Sequence, residues 1–132
     1  MRLFIVDDET IIRKGIISIL RQNCAFVEVA GEAANGKAAL EAIGAACPDV
    51  VVTDIKMPVM DGVELTKRLH TLYPNIRVIV LSGYDDYCFV RLSMKYGAFD
   101  YLLKPIDKHE FLSVVRLLQQ SELIEQGKIE PN

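Results

Sequence analysis

Chemically useful residues recur at the ends of short apolar runs in this chain. Leu3 to Val6 runs into Asp7-Asp8-Glu9, and Val50 to Val52 runs into Thr53-Asp54. Ile76 to Leu81 is followed by Ser82-Gly83, and Phe99 to Leu103 by Lys104-Pro105. If the runs are parallel strands of an open sheet, ligands bind beyond their carboxyl ends, where the winding direction reverses. Three carboxylates, a hydroxyl and a lysine would then share one edge. Two carboxylates about 4 Å apart repel by roughly 4 kcal/mol at an effective dielectric of about 20. Three in one crevice must protonate or hold a cation. An all-oxygen set with no histidine or cysteine selects a hard ion, and an incomplete cage with room for water and phosphate suits Mg²⁺. A carboxylate beside that ion can attack a phosphoryl group and form an acyl phosphate. The metal bridges oxygens, and a lysine neutralises the remaining charge of the loose transition state. With the third strand central, Asp54 lies between the acidic pair and Lys104, and is the expected nucleophile. The plainer account is that Asp7 and Asp8 only cap the first helix, where acidic residues are favoured. Asp54 and Lys104 at the same edge weigh against it.

The elements that must position these groups are legible as a repeating pattern. Most of the apolar runs are continuous, as in strands buried on both faces of a parallel sheet. Val27 to Ala30 is interrupted by Glu28 and is expected at an edge. Between the runs lie stretches of helical period: Ile12, Ile16, Ile19 and Leu20, then Ala38, Ala39, Ala42 and Ile43, then Val63, Leu65, Leu69 and Leu72. Segments 85–96 and 108–118 complete five. Asn35-Gly36, Pro48-Asp49, Asp61-Gly62, Pro74-Asn75 and Gly97 punctuate the boundaries. Five strands, each followed by a helix, imply a (βα)5 doubly wound α/β sheet with right-handed crossovers and helices on both faces. Past Ser121 the chain turns polar. We expect one domain over 1–121, with 122–132 as the end of the last helix or the start of a linker to a further output domain.

Composition narrows the function classes. The chain has 132 residues, 51% apolar and 25% charged, enough for one domain with a real core. That excludes a disordered tail and a disulfide-stapled miniprotein. Fifteen basic against eighteen acidic residues leave a net charge of -3, so direct contact of this segment with nucleic acid is not expected. Cys24, Cys47 and Cys88 lack metal-ligand spacing and read as buried small apolar residues in a reducing compartment. No uncharged run approaches the roughly 18 residues a membrane span needs. Asp7 arrives too early for a signal peptide. A soluble, cytoplasmic protein without membrane contact is expected.

Several separated motifs, in order, resemble the receiver domains of two-component response regulators. They are Val6-Asp7-Asp8-Glu9, Asp54-Ile55-Lys56-Met57-Pro58 with Asp61-Gly62, Leu81-Ser82-Gly83-Tyr84, Gly97-Ala98 and Tyr101-Leu102-Leu103-Lys104-Pro105. The resemblance covers Leu3 to Leu118 and implies the flavodoxin-like strand order 2-1-3-4-5. It implies that Asp54 accepts phosphate from a sensor histidine kinase. Asp8, Asp54 and the Lys56 backbone carbonyl would ligate Mg²⁺, with Asp7 acting through water. Lys104 would contact the phosphoryl oxygens, Ser82 would hydrogen-bond one of them, and Tyr101 would change rotamer as Ser82 moves. The bond before Pro105 would be cis. Lys56 and Tyr84 occupy positions that in this family influence how long the phosphate survives. The surface that changes would be the one formed by the fourth helix, fifth strand and fifth helix, which is also the expected homodimer face.

The wording from Leu81 to Tyr87 and from Gly97 to Pro105 looks like receivers joined to AraC-type helix-turn-helix regulators, which implies transcription as the output. A stand-alone receiver docking on a motor or relay protein is the competing binding-module reading. A haloacid-dehalogenase-like phosphatase would need Asp-x-Asp after the first strand, where this chain has Asp7-Asp8-Glu9. A nucleotide-binding module would need glycines there. Apart from phosphotransfer to itself and slow autodephosphorylation, no enzymatic activity is expected. Plain structural roles are also open to several of these residues: Tyr101 as a core aromatic, Ser82 as a turn former, Glu9 as a cap. His70 and His109 read as structural or solvated, and Met57 and Met60 as loop packing.

Overall fold

The computed structural model describes residues 1–130. Five strands alternate with five helices: β1 (Arg2–Val6), α1 (Thr10–Asn23), β2 (Glu28–Ala33), α2 (Gly36–Ala46) and β3 (Val50–Asp54) come first. α3 (Gly62–Leu72), β4 (Arg77–Ser82), α4 (Tyr87–Lys95), β5 (Asp100–Leu103) and α5 (Lys108–Glu125) follow. The strands form one parallel sheet in the order β2-β1-β3-β4-β5, as the residue pattern and the family resemblance both led us to expect.

Alternation along each strand feeds two cores. Leu3, Ile5, Val50, Val52, Ile79 and Leu81 face α1 and α5, packing on Ile16, Leu20, Phe111 and Val115. Phe4, Val6, Val51, Val78 and Val80 face the other way, onto Ala39 and Ile43 of α2 and Leu65 and Leu69 of α3. This double burial is why the runs are continuous rather than alternating. Each such side chain contributes roughly 1.5–3 kcal/mol by leaving water. β3 is buried along its whole length, and the site stands at its tip.

Helix starts are set by side chains. Asn35 accepts from the Ala38 amide, Asp61 from Glu64 and Asp107 from Glu110, each at 2.9 Å. Such caps satisfy amide groups that the first turn leaves free. Glu9 stands at the cap position of α1 but makes no side-chain cap bond there. Its backbone carbonyl instead receives the Ile12 and Arg13 amides.

Boundaries moved where one strand's pattern met a neighbour's needs. β2 begins at Glu28, whose carboxylate pairs with Arg2 at 2.9 Å, and so it starts after Val27. It is an edge strand, as expected. β5 is the other edge, and there Tyr101 and Leu103 are exposed while Leu102 is buried. α5 extends past Leu118 to Glu125, because Arg77 at the start of β4 pairs with Glu125 and reaches Ser121. Pro131 and Asn132 of the expected linker lie outside the described residues. One expectation fails: only Cys24 is buried, whereas Cys47 and Cys88 are exposed. Cys47 sits in the left-handed residue that ends α2, and Cys88 lies in α4, which buries little besides Ser93.

Gly62 opens α3 directly under the tip of β3, donating its amide to the Ile55 carbonyl at 2.7 Å. A methyl group there would collide with the Asp54 carbonyl oxygen, whereas one at Gly15 in α1 would meet nothing. Gly62→Ala should therefore cost about 1–3 kcal/mol through overpacking. Gly15→Ala should gain about 0.5–1 kcal/mol through helix propensity. Urea titration of the two variants checks the opposite signs.

Candidate functional site

The tips of β1, β3, β4 and β5 bring polar groups to the same edge of the sheet. Asp7, just past β1, is completely buried, and its Oδ1 accepts the Glu9 amide at 2.9 Å. Asp54 ends β3 and is 6% exposed, with Oδ1 accepting the Ile55 amide at 2.8 Å. Asp8 is exposed. The three carboxylates each present an oxygen within 4.8 Å of the others. Lys104 follows β5 directly and precedes a cis bond to Pro105, and its Nζ lies 3.0 Å from both Asp7 Oδ2 and Asp54 Oδ2. The expected acidic cluster and its lysine therefore meet. Neither Asp7 nor Asp8 is the capping residue of α1, so the plainer account of the pair fails.

The charges do not balance. Burial, more than any other cause, pushes the Asp54 carboxyl above its ordinary value, and the charge of Asp7 adds to this. Hydrogen bonding and attraction to Lys104 offset only part of it. For Lys104, burial alone would favour the neutral amine. Its bonds to Asp7 and Asp54 outweigh that and hold its pKa above the usual lysine value. One ammonium thus serves two buried carboxylates, with the third beside them. An all-oxygen set with surplus negative charge fits a hard divalent cation held by Asp7, Asp8 and Asp54.

The remaining expected residues surround this cluster. Lys56 lines a crevice of about 340 Å³ with Asp8, Met57, Pro58, Asp61 and Phe89. Its ammonium turns to the loop after β4, 2.9 Å from Asp86 Oδ1 and 3.6 Å from Asp85 Oδ1. Ser82 ends β4 fully buried, with Oγ at 3.5 Å from the Leu102 carbonyl. Its own carbonyl accepts the Lys104 amide at 2.8 Å, joining the hydroxyl and the lysine through one backbone bond. Tyr101 is not a core aromatic: it is 43% exposed and borders a separate groove of about 430 Å³ with Ser82, Tyr87, Met94 and Leu103. His70 and His109 are exposed, while Met57 and Met60 pack against the core.

Two residues around the site were not singled out in the sequence. Arg13 of α1 donates to the Asp7 carbonyl, and through Nε to Glu32 at 2.7 Å, fixing the β1 tip against β2. Nothing in its helical position marks it. Asp86 is 3% exposed and accepts the Gly83 amide through Oδ2 at 2.6 Å. An Asp immediately before a helical stretch is a helix-start signal that could have drawn attention to it.

The raised pKa of Asp54 has a definite sign. The native state binds this proton more readily than the unfolded chain, so the ionised carboxylate destabilises the metal-free fold above the folded pKa. That handicap vanishes as pH falls through the folded value. Asp54→Asn should therefore raise Tm near neutral pH, by about 3–4 °C per kcal/mol relieved, and the advantage should disappear in acid. Mg²⁺ should raise the Tm of the natural protein more than that of the variant. Thermal scans across pH, with and without Mg²⁺, check both.

Known proteins resemble this chain in sequence and fold. Residues 3–116 match the family model described as the response regulator receiver domain. The transcriptional regulatory protein YesN of Bacillus subtilis is 38% identical over 112 residues, which are 85% of this chain and 30% of YesN. The chain thus spans under a third of that relative's length. The receiver domain of AraT, a response regulator from Geobacillus stearothermophilus, superposes with a TM-score of 0.88 at 37% identity, covering 95% of this chain and 97% of that one. A two-component transcriptional regulator AraC from Clostridium phytofermentans gives 0.82 at 34% identity, covering 96% and 98%. With residues 3–116 matched by one family model and the sheet order shared with solved receiver domains, this chain belongs to the response regulator receiver domains.

Proposed function

We propose that this domain is a phosphorylation-controlled switch in which Asp54 takes a phosphoryl group from the phosphohistidine of a sensor kinase. The carrying observation is the Lys104 ammonium at 3.0 Å from both Asp7 and Asp54. It shields one face of an acidic cluster whose other carboxylate, Asp8, is open to solvent. An Asp54 oxygen forms the new O–P bond while the P–N bond of phosphohistidine breaks, and the electron pair leaves with the imidazole. Asp8, Asp54 and the Lys56 carbonyl would hold Mg²⁺, with Asp7 acting through water. The ion would neutralise the phosphoryl oxygens during transfer. Lys104 would contact those oxygens, and Ser82 would hydrogen-bond one of them once its loop approached. A nucleophilic Asp7, as in a phosphatase, is disfavoured because that side chain is completely buried and tied to Lys104 and the Glu9 amide.

The added group carries roughly -1.5 to -2 charge. Drawing Ser82 and Lys104 toward it would move the β4–α4 loop and turn Tyr101 inward from its exposed position. The reshaped surface of α4, β5 and α5 would then bind a second copy, consistent with exposed Tyr87, Leu92, Met94, Tyr101 and Leu103. Likeness to YesN, AraT and the Clostridium regulator supports transcription as the output, delivered by a DNA-binding part joined beyond residues 122–132. A cytoplasmic location fits both partners. Among the described residues, no helix is long and apolar enough to cross a membrane.

Incubation with a small radiolabelled acyl phosphate and Mg²⁺ should label the natural chain with a bond stable to acid and lost in base. Asp54→Ala should take up at least tenfold less, and chelation of the metal should abolish uptake. Equal labelling of the two proteins would sink the assignment.

A further inference from the structure

The contact between Lys56 and Asp86 is not required to hold a metal or to bind phosphate, yet it joins the two loops that flank Asp54. Lys56 stands two residues beyond Asp54, and its side chain is 57% exposed, so it is free to reorient. Asp86 is not free. It is 3% exposed, its Oδ2 accepts the Gly83 amide at 2.6 Å, and its own amide donates to the Gly83 carbonyl at 3.3 Å. Gly83 follows Ser82 directly, so the carboxylate, the turn and the serine form one small unit. Burial alone would push the Asp86 carboxyl up. The Lys56 ammonium and the Gly83 amide outweigh it and hold the group below its ordinary value.

We propose that Asp86 is a positioning residue of the phosphoryl site: its ion pair keeps the Lys56 ammonium on the β4–α4 loop until a phosphoryl group on Asp54 competes for it. The inference rests on Asp54 being the phosphoacceptor. Withdrawing Lys56 leaves a buried carboxylate with the Gly83 amide as its remaining close donor, which is costly. The pair therefore favours the unphosphorylated arrangement. A phosphoryl group shifts the balance only by the difference in its affinity for the two arrangements. Asp85, at 3.6 Å from Lys56 and well exposed, assists weakly.

The test is a double-mutant cycle read by the affinity for beryllofluoride, a phosphoryl mimic, in Mg²⁺. Asp86→Asn keeps an acceptor for the Gly83 amide and removes the charge. It should tighten beryllofluoride binding by about two- to fivefold, the scale of a partly exposed ion pair. In the Lys56→Gln background the same change should do nothing. Asp86→Ser, which also offers an acceptor without charge, must give the same pattern. A purely structural role for Asp86 predicts equal effects with and without Lys56, and that result, no effect, or weaker binding would overturn the proposal. Failure of the natural protein to bind beryllofluoride would instead overturn the phosphoacceptor reading and this inference with it. Binding abolished by Asp54→Asn but insensitive to the Lys56–Asp86 cycle would remove the latch alone.

Discussion

A single ammonium shared by two buried carboxylates governs this molecule. Lys104 reaches Asp7 and Asp54 at the same distance, and among the described residues neither acid has a second cation in ion-pair contact. Removing a carboxylate from water costs several kcal/mol unless it is paired and hydrogen-bonded. The fold meets that cost only in part. It supplies one lysine, one backbone amide to each acid, and a sheet stiff enough to stop the acids moving apart. The unmet remainder is what gives the edge its appetite for positive charge and for groups that bring it. A domain with a second lysine in place of Asp8 would be more comfortable and chemically idle.

Much of this was legible in the residues because the constraint is severe. Strands buried on both faces must be continuous apolar runs, and β1, β3 and β4 are. The carboxyl end of a parallel strand is where polar side chains can gather; Asp7, Ser82 and Lys104 follow such runs directly, and Asp54 follows one residue later. What escaped was set by contacts across the fold. Arg77 prolongs α5 by pairing with Glu125, a partner far away in the chain that no local period announces. The alternative of a core aromatic at Tyr101 is closed by β5 being an edge strand whose burial alternates, which leaves the side chain exposed. Cys47 and Cys88 were placed inside on residue type alone, whereas one ends a helix and the other lies in a thinly buried helix. Asp86 was missed because its burial depends on Gly83 folding back onto it.

The two sides of the site differ in how firmly they are held. On the β1 side, Arg13 ties the Asp7 carbonyl to Glu32, and the Glu9 amide ties the carboxylate. On the β4 side, the loop from Gly83 to Asp86 hangs from a buried carboxylate and one ion pair to Lys56. Charge-assisted bonds of this kind are strong but exchangeable. The β1 side is thus tied by several backbone and side-chain bonds, and the β4 side by a single ion pair and one turn.

The seat of Gly62 gives that asymmetry a direction. The start of α3 presses so closely on the Asp54 carbonyl that even one carbon atom cannot be inserted between them. The floor of the site leaves no room beneath Asp54, so bulk added to that carboxylate would have to be taken up on the side away from Gly62. A residue with no side chain is thereby the backstop of the site.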